Sequence, residues 1–196
     1  MEHFYESVPG WAAFRGLYRV VVADAPSDRE CLFVEVGSWL GKSAAYMGVE
    51  IVNSGKRISF ACVDPWEDGG PDLRHTPHFK SLQKPIYESF MENTKPVAHL
   101  IRTYRMPSVQ AARHFEDGSI DFIMLDGDHN YPAVLHDIDA WLPKMRPGSL
   151  MAGDDARWPG VAQSIEERFP GQYRVVDIKK DANYLKSASY WTVRLP

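Results

Sequence analysis

At 196 residues, with 44% apolar residues and a formal charge of -4, the chain can bury about 70% of its unfolded surface as one domain without staples. The acidic balance, with pI near 6.0, argues against nucleic acid as a substrate, because phosphate contacts call for a basic face. No apolar run approaches the roughly 20 residues of a membrane span and no charged leader opens the chain, so a cytoplasmic protein without a membrane partner is expected.

The first elements are helical. Trp11, Phe14, Leu17 and Val20 or Val21 recur near helical spacing between Phe4 and Ala25, which predicts an N-terminal helical segment over residues 1–30, packed on the core or over a site. From there strand-like runs alternate with helix-like ones: Leu32 to Val36, Ile58 to Val63, Ala98 to Arg102, Ile120 to Leu125, Ser149 to Ala152, Tyr173 to Ile178 and Tyr190 to Leu195. Between them Ser43 to Val52, Pro107 to Phe115, Tyr131 to Met145 and Val161 to Phe169 carry apolar residues at helical spacing. This order predicts an α/β, Rossmann-like, doubly wound and mostly parallel sheet. The last two strands lack a convincing helix between them and are expected to pair antiparallel. Cys31 and Cys62 fall on strands, as small buried thiols in a reduced compartment. Residues 66–96 form a long, lid-like insertion, with Gly69-Gly70-Pro71 and Thr76-Pro77 before a helix at Phe79 to Asn93; irregular segments of this length are often functional. His75 and His78 within it read as surface residues, as does Lys179-Lys180.

The first strand ends in Glu35-Val-Gly37-Ser38-Trp-Leu-Gly41-Lys-Ser43. An acid, a glycine turn and a helix start beyond a strand are the shape of a nucleotide-type cofactor site. The run is one residue short of a P-loop and has Trp39 where a dinucleotide fold needs glycine. It resembles the first motif of class I S-adenosylmethionine (SAM) methyltransferases, E-x-G-x-x-x-G-x-S. Asp64 closes the second strand about thirty residues further on, where an acid can accept from both ribose hydroxyls of SAM or NAD, or cap the turn before Pro65. Asp126, Asp154 and Asp155 end the fourth and fifth strands. Neighbouring parallel strand ends lie about 5 Å apart, and like charges that close call for a cation, for which an all-oxygen set favours Mg²⁺, Mn²⁺ or Ca²⁺. The bland alternative is that these acids cap the helices that follow.

The block Asp126-Gly-Asp-His129-Asn-Tyr131, then Asp137, Trp141 to Gly148 and Asp154-Asp155, resembles the methyltransferase family that includes cation-dependent O-methyltransferases, among them catechol and antibiotic-sugar enzymes. The similarity runs from about Leu32 to Asp155. It implies a seven-stranded sheet with an antiparallel last strand, SAM as cofactor, and Mg²⁺ or another divalent cation held by Asp126, Asp154 and Asp155. Glu35, Gly37, Ser38, Gly41 and Ser43 would hold the methionine end of SAM and Asp64 its ribose, with Asp126 also among the cofactor-binding residues. Arg105 and Met106, after the third strand, would lie near adenine, and Trp66 would stack on the cofactor. Catechol enzymes carry a lysine base where this chain has His129, so the base is Asp126 or His129. The implied reaction is SAM-dependent, cation-assisted O-methylation of a small hydroxylated metabolite of sugar or phenolic type. A P-loop-like nucleotide hydrolase, a metal-independent methyltransferase, a relative of the cephalosporin-hydroxylase group and a non-catalytic SAM-fold binding protein are the alternatives. A homodimer covering the sheet edge is compatible with this architecture.

Overall fold

The computed structural model describes residues 1–67, 74–178 and 188–196; Gly69-Gly70-Pro71 and Lys179-Lys180 lie outside them. Seven strands form one sheet: β1 (Cys31–Val36), β2 (Ile58–Asp64), β3 (Ile101–Arg105), β4 (Ile120–Leu125), β5 (Met145–Asp154), β6 (Arg174–Ile178) and β7 (Ala188–Arg194). Their order is β3-β2-β1-β4-β5-β7-β6, with β1 to β5 parallel and β7 antiparallel to both β5 and β6. The winding therefore reverses between β1 and β4, which is where open α/β sheets leave a crevice for ligand beyond the strand ends.

Alternation along the strands sorts the core into two layers. Phe33, Phe60 and Phe122 face α1 (Arg15–Asp24), α2 (Lys42–Ser54) and α4 (Ile86–Asn93), where Leu17, Met47 and Phe90 are buried with them. Val34, Val63 and Ile123 face α5 (Ser108–Ala111), α6 (Tyr131–Trp141) and α7 (Pro159–Arg168), with Ala111, Trp141 and Ile165. Also described is α3 (Pro77–Lys80), a single turn capped by the Thr76 hydroxyl, which accepts from Phe79 N at 3.1 Å. Both cysteines are free and buried. Among the described residues no helix is long and apolar enough to cross a membrane.

Proline and glycine explain where the elements depart from expectation. The third strand begins at Ile101 rather than Ala98, because Lys95–Leu100, with Pro96, is a 3-10 turn. Pro85 separates α3 from α4 within the expected helix at 79–93. At the N-terminus Gly10 adopts φ 115, so the helix starts only at Arg15, and Trp11 and Val20 are exposed while Phe14, Leu17 and Val21 are buried.

Candidate cofactor and catalytic site

The turn after β1 is held by its own main chain. Gly37 N–H donates to Val63 O at 2.8 Å and Gly41 N–H to Ser38 O at 2.8 Å, while Trp39 N–H donates to Asp64 Oδ2 at 2.9 Å. Three of the N–H groups that a phosphate cradle would aim at an anion are therefore already used, which removes the physical basis of a P-loop reading. Gly37 and Gly41 both have left-handed φ, 86 and 85. A Cβ on Gly37 would collide with the Asp126 carbonyl, and one on Gly41 would press on Thr94 and Phe90. Packing within the chain already requires glycine at both positions.

Glu35 faces the α1 layer and is 1% exposed. Tyr18, from α1, donates its O–H to Glu35 Oε2 at 2.6 Å. Glu35 Oε1 and Ser38 Oγ are buried without a hydrogen-bond partner, and Ser43 is buried at the first turn of α2. Burial raises the Glu35 carboxyl to about 7, against the Tyr18 hydrogen bond and the Ser38 and Ser43 hydroxyls beside it. Buried polar atoms of native proteins nearly always find partners, so these two fit the polar amino-acid end of a bound cofactor. Tyr18 was not legible as a site residue, although its spacing from Phe14 places it on the buried face of the helix.

Asp64 closes β2 and accepts from two main-chain N–H groups, Trp39 at 2.9 Å and Trp66 at 2.6 Å. Burial raises its pKa, and those two hydrogen bonds oppose the rise. Trp66, expected to stack on cofactor, is 2% exposed, packs on Phe90 and Tyr87 and donates its indole N–H to Trp39 O at 2.8 Å. Its ring is part of the core. Arg105 is the last residue of β3, level with Asp64, and its guanidinium lies 4.9 Å from the Tyr87 ring centre. Met106 follows directly, its N–H bonded to Tyr104 O.

Asp126 leaves β4 with its N–H donating to Val36 O at 2.9 Å, so it adjoins the glycine turn. His129 Nε2 stands 3.6 Å from Asp126 Oδ1 and 3.9 Å from Asp155 Oδ2, with the exposed Trp158 ring 5.2 Å away. Burial disfavours charge on the imidazole, but contact with Asp126 and the charges of Asp155 and Asp154 outweigh it and raise His129 to about 9. Burial raises Asp126, against His129, and raises Asp154 strongly, with Asp126 and Asp155 adding repulsion. Asp154 Oδ1 is buried without a partner and lines, with Asp137 and Trp191, a cavity of about 10 Å³, room for a single water. Among the described residues no three His, Cys, Asp or Glu side chains converge on a metal position. Mg²⁺ needs oxygens about 2.1 Å from one centre, and here an imidazole stands between Asp126 and Asp155. As placed, the three carboxylates do not fit a Mg²⁺ cage. A groove of about 570 Å³ lies at the opposite strand ends, between Ser59, Ile101 and Arg146, away from all these groups.

The model of the methyltransferase domain family matches residues 34–156, more than half of the chain and the span that contains the glycine turn, Asp64, Asp126 and Asp154. The chain belongs to the methyltransferase domain family. Its sheet is that of class I SAM-dependent methyltransferases, and solved structures of that fold align with nearly its whole length. The O-methyltransferase NovP aligns with 94% of this methyltransferase domain and 80% of its own chain, at 16% identity and TM-score 0.66. TomG, an O-methyltransferase of Streptomyces achromogenes solved in complex with SAM, aligns with 92% and 80%, at 15% identity and TM-score 0.60. A precorrin 8w decarboxylase of Methanobacterium thermoautotrophicum aligns with 97% and 95%, at 13% identity and TM-score 0.62. At these identities the likeness is one of fold, and the same fold carries more than one chemistry. The uncharacterized protein y4gI of Sinorhizobium fredii is 25% identical over 153 residues, 78% of this chain, and the chain spans only 16% of its length.

Proposed function

We propose that this methyltransferase domain transfers a methyl group from SAM to a hydroxyl oxygen of a small metabolite, of sugar or phenolic type, with Asp126 taking the hydroxyl proton. The observation that supports this reading is the seating of the Asp126–His129 pair against the glycine turn through Asp126 N–H and Val36 O, where the carboxylate would be a proton acceptor beside the bound cofactor. SAM supplies a methyl group on a sulfonium, and its transfer leaves a neutral thioether. A hydroxyl is a poor nucleophile until its proton goes, so a base near the crevice is the chemical requirement. His129, raised to about 9 by Asp126, Asp155 and Asp154, would stand as the cationic partner of Asp126 at neutral pH. That leaves the Asp126 carboxylate as proton acceptor. Glu35 Oε1 and the Ser38 hydroxyl would receive the cofactor's amino-acid end, Ser43 would stand behind them, and Asp64 and Arg105 would face its nucleoside. Cation assistance by Asp126, Asp154 and Asp155 would require His129 to leave the gap between the first and last of these.

The test is calorimetric titration with S-adenosylhomocysteine and, separately, ATP, followed by turnover on panels of phenolic and sugar acceptors with Mg²⁺ or EDTA. Binding of the homocysteine compound alone, with methylation of at least one hydroxyl acceptor, is expected. Binding without turnover on any hydroxyl would favour the non-catalytic alternative, and binding of ATP alone would sink the reading.

A further inference from the structure

Tyr18 lies in α1, outside the family-matched residues 34–156, yet its hydroxyl meets Glu35 at the end of β1. Its ring is 1% exposed and wedged between Phe14, at 5.0 Å between ring centres, and Phe122, at 5.8 Å. Its O–H donates to Glu35 Oε2 at 2.6 Å. Glu35 Oε1 and Ser38 Oγ, both buried, make no well-formed hydrogen bond within the chain, although the Ser38 and Ser43 hydroxyls stand close enough to Glu35 to favour its ionised form. A carboxylate with one oxygen tied to a locked phenol and the other facing only poorly aligned hydroxyls keeps an open valence, beside a hydroxyl in the same condition. Such atoms point to a ligand that satisfies them.

We infer that Tyr18 is a positioning residue: by occupying one oxygen of Glu35 it reserves the other, with the Ser38 hydroxyl, for the ammonium group at the amino-acid end of the bound cofactor. The inference rests on the SAM reading above. It gives the N-terminal helix a part in cofactor recognition besides packing. A cation is the fitting guest, because a fully buried carboxyl already raised to about 7 gains most from a positive group that restores its ionised form.

The experiment compares two ligands by calorimetry at pH 8: S-adenosylhomocysteine, and 5′-deoxy-5′-methylthioadenosine, which keeps the nucleoside and sulfur but lacks the amino-acid end. Tyr18→Phe is expected to weaken the first roughly tenfold, the scale of one charge-assisted hydrogen bond, and to leave the second unchanged. Glu35→Gln is expected to show the same selective loss, and the double variant to bind no more weakly than Glu35→Gln alone, since the two residues act as one unit. Equal loss of both ligands in Tyr18→Phe, no loss, or full additivity in the double variant would overturn the inference. Should Tyr18→Phe not fold, Glu35→Gln decides: without selective loss the inference fails. A wild-type chain that binds neither ligand would overturn the SAM reading itself, and this inference with it.

Discussion

Asp64 accepts the main-chain N–H of Trp39 at 2.9 Å, and with its other oxygen that of Trp66 at 2.6 Å. Both tryptophans carry left-handed backbone, φ 42 and 47, a conformation that costs on the order of 1–2 kcal/mol for a non-glycine residue. The carboxylate at the end of β2 thus holds two strained residues and ties the glycine turn to its neighbouring strand. Asp64→Ala should lower stability by about 2 kcal/mol through the two orphaned donors and weaken S-adenosylhomocysteine by roughly 1–3 kcal/mol. Thermal melts and calorimetry check the two effects separately. An unchanged affinity in a destabilised variant would assign Asp64 to the turn alone.

Gly37 and Gly55 make a controlled pair. Both adopt left-handed φ, 86 and 65, but a Cβ on Gly55 meets open space while one on Gly37 meets the Asp126 carbonyl. Gly55→Ala should cost about 1 kcal/mol, the backbone penalty alone. Gly37→Ala adds a collision between β1 and β4 and should cost about 3 kcal/mol or more. Urea midpoints of the two variants measure the difference, and equal losses would show that the strand ends part easily.

The carboxyl of Glu35 predicts an inverted pH dependence. Its folded value of about 7 stands above the ordinary 4.5, so between those values the folded state binds more protons than the unfolded one, and stability falls as pH rises through that window. The rise from 4.5 to about 7 bounds the loss at about 3 kcal/mol. Glu35→Gln keeps an acceptor for Tyr18 and should remove this component. The stability difference between pH 5 and pH 8 should therefore be smaller in the variant than in the wild type, by urea denaturation. An identical difference in both would show that Glu35 is ionised throughout.

Asp126→Asn should cut turnover by roughly 10²–10⁴-fold, the usual contribution of a positioned base, with S-adenosylhomocysteine affinity within about twofold of wild type. His129→Gln removes the cationic partner and should also slow turnover at neutral pH. If EDTA leaves the wild-type rate unchanged, the carboxylates work as His129 partners. If EDTA abolishes turnover and Mg²⁺ restores it, His129 must move aside to admit a cation.

The alternation of apolar strands with helices, the glycine turn after β1 and the acids at the strand ends determined the fold class and the face on which to look for a site. These are local signals, carried by periodicity and by residue types that few backbones accept. Element boundaries were less legible: Pro85 and Pro96 change geometry without disturbing apolar spacing, Gly10 delays the first helix to Arg15, and β5 begins at Met145, at the end of the expected helix. Tertiary structure alone decided the rest. That Trp66 fills the core rather than facing the crevice, that Tyr18 meets Glu35 across 17 positions, and that His129 rather than open space lies between Asp126 and Asp155 depend on how strands and helices pack. Which of several compatible partners a buried polar atom finds is settled by packing distances of a few tenths of an ångström. No residue pattern along the chain encodes those.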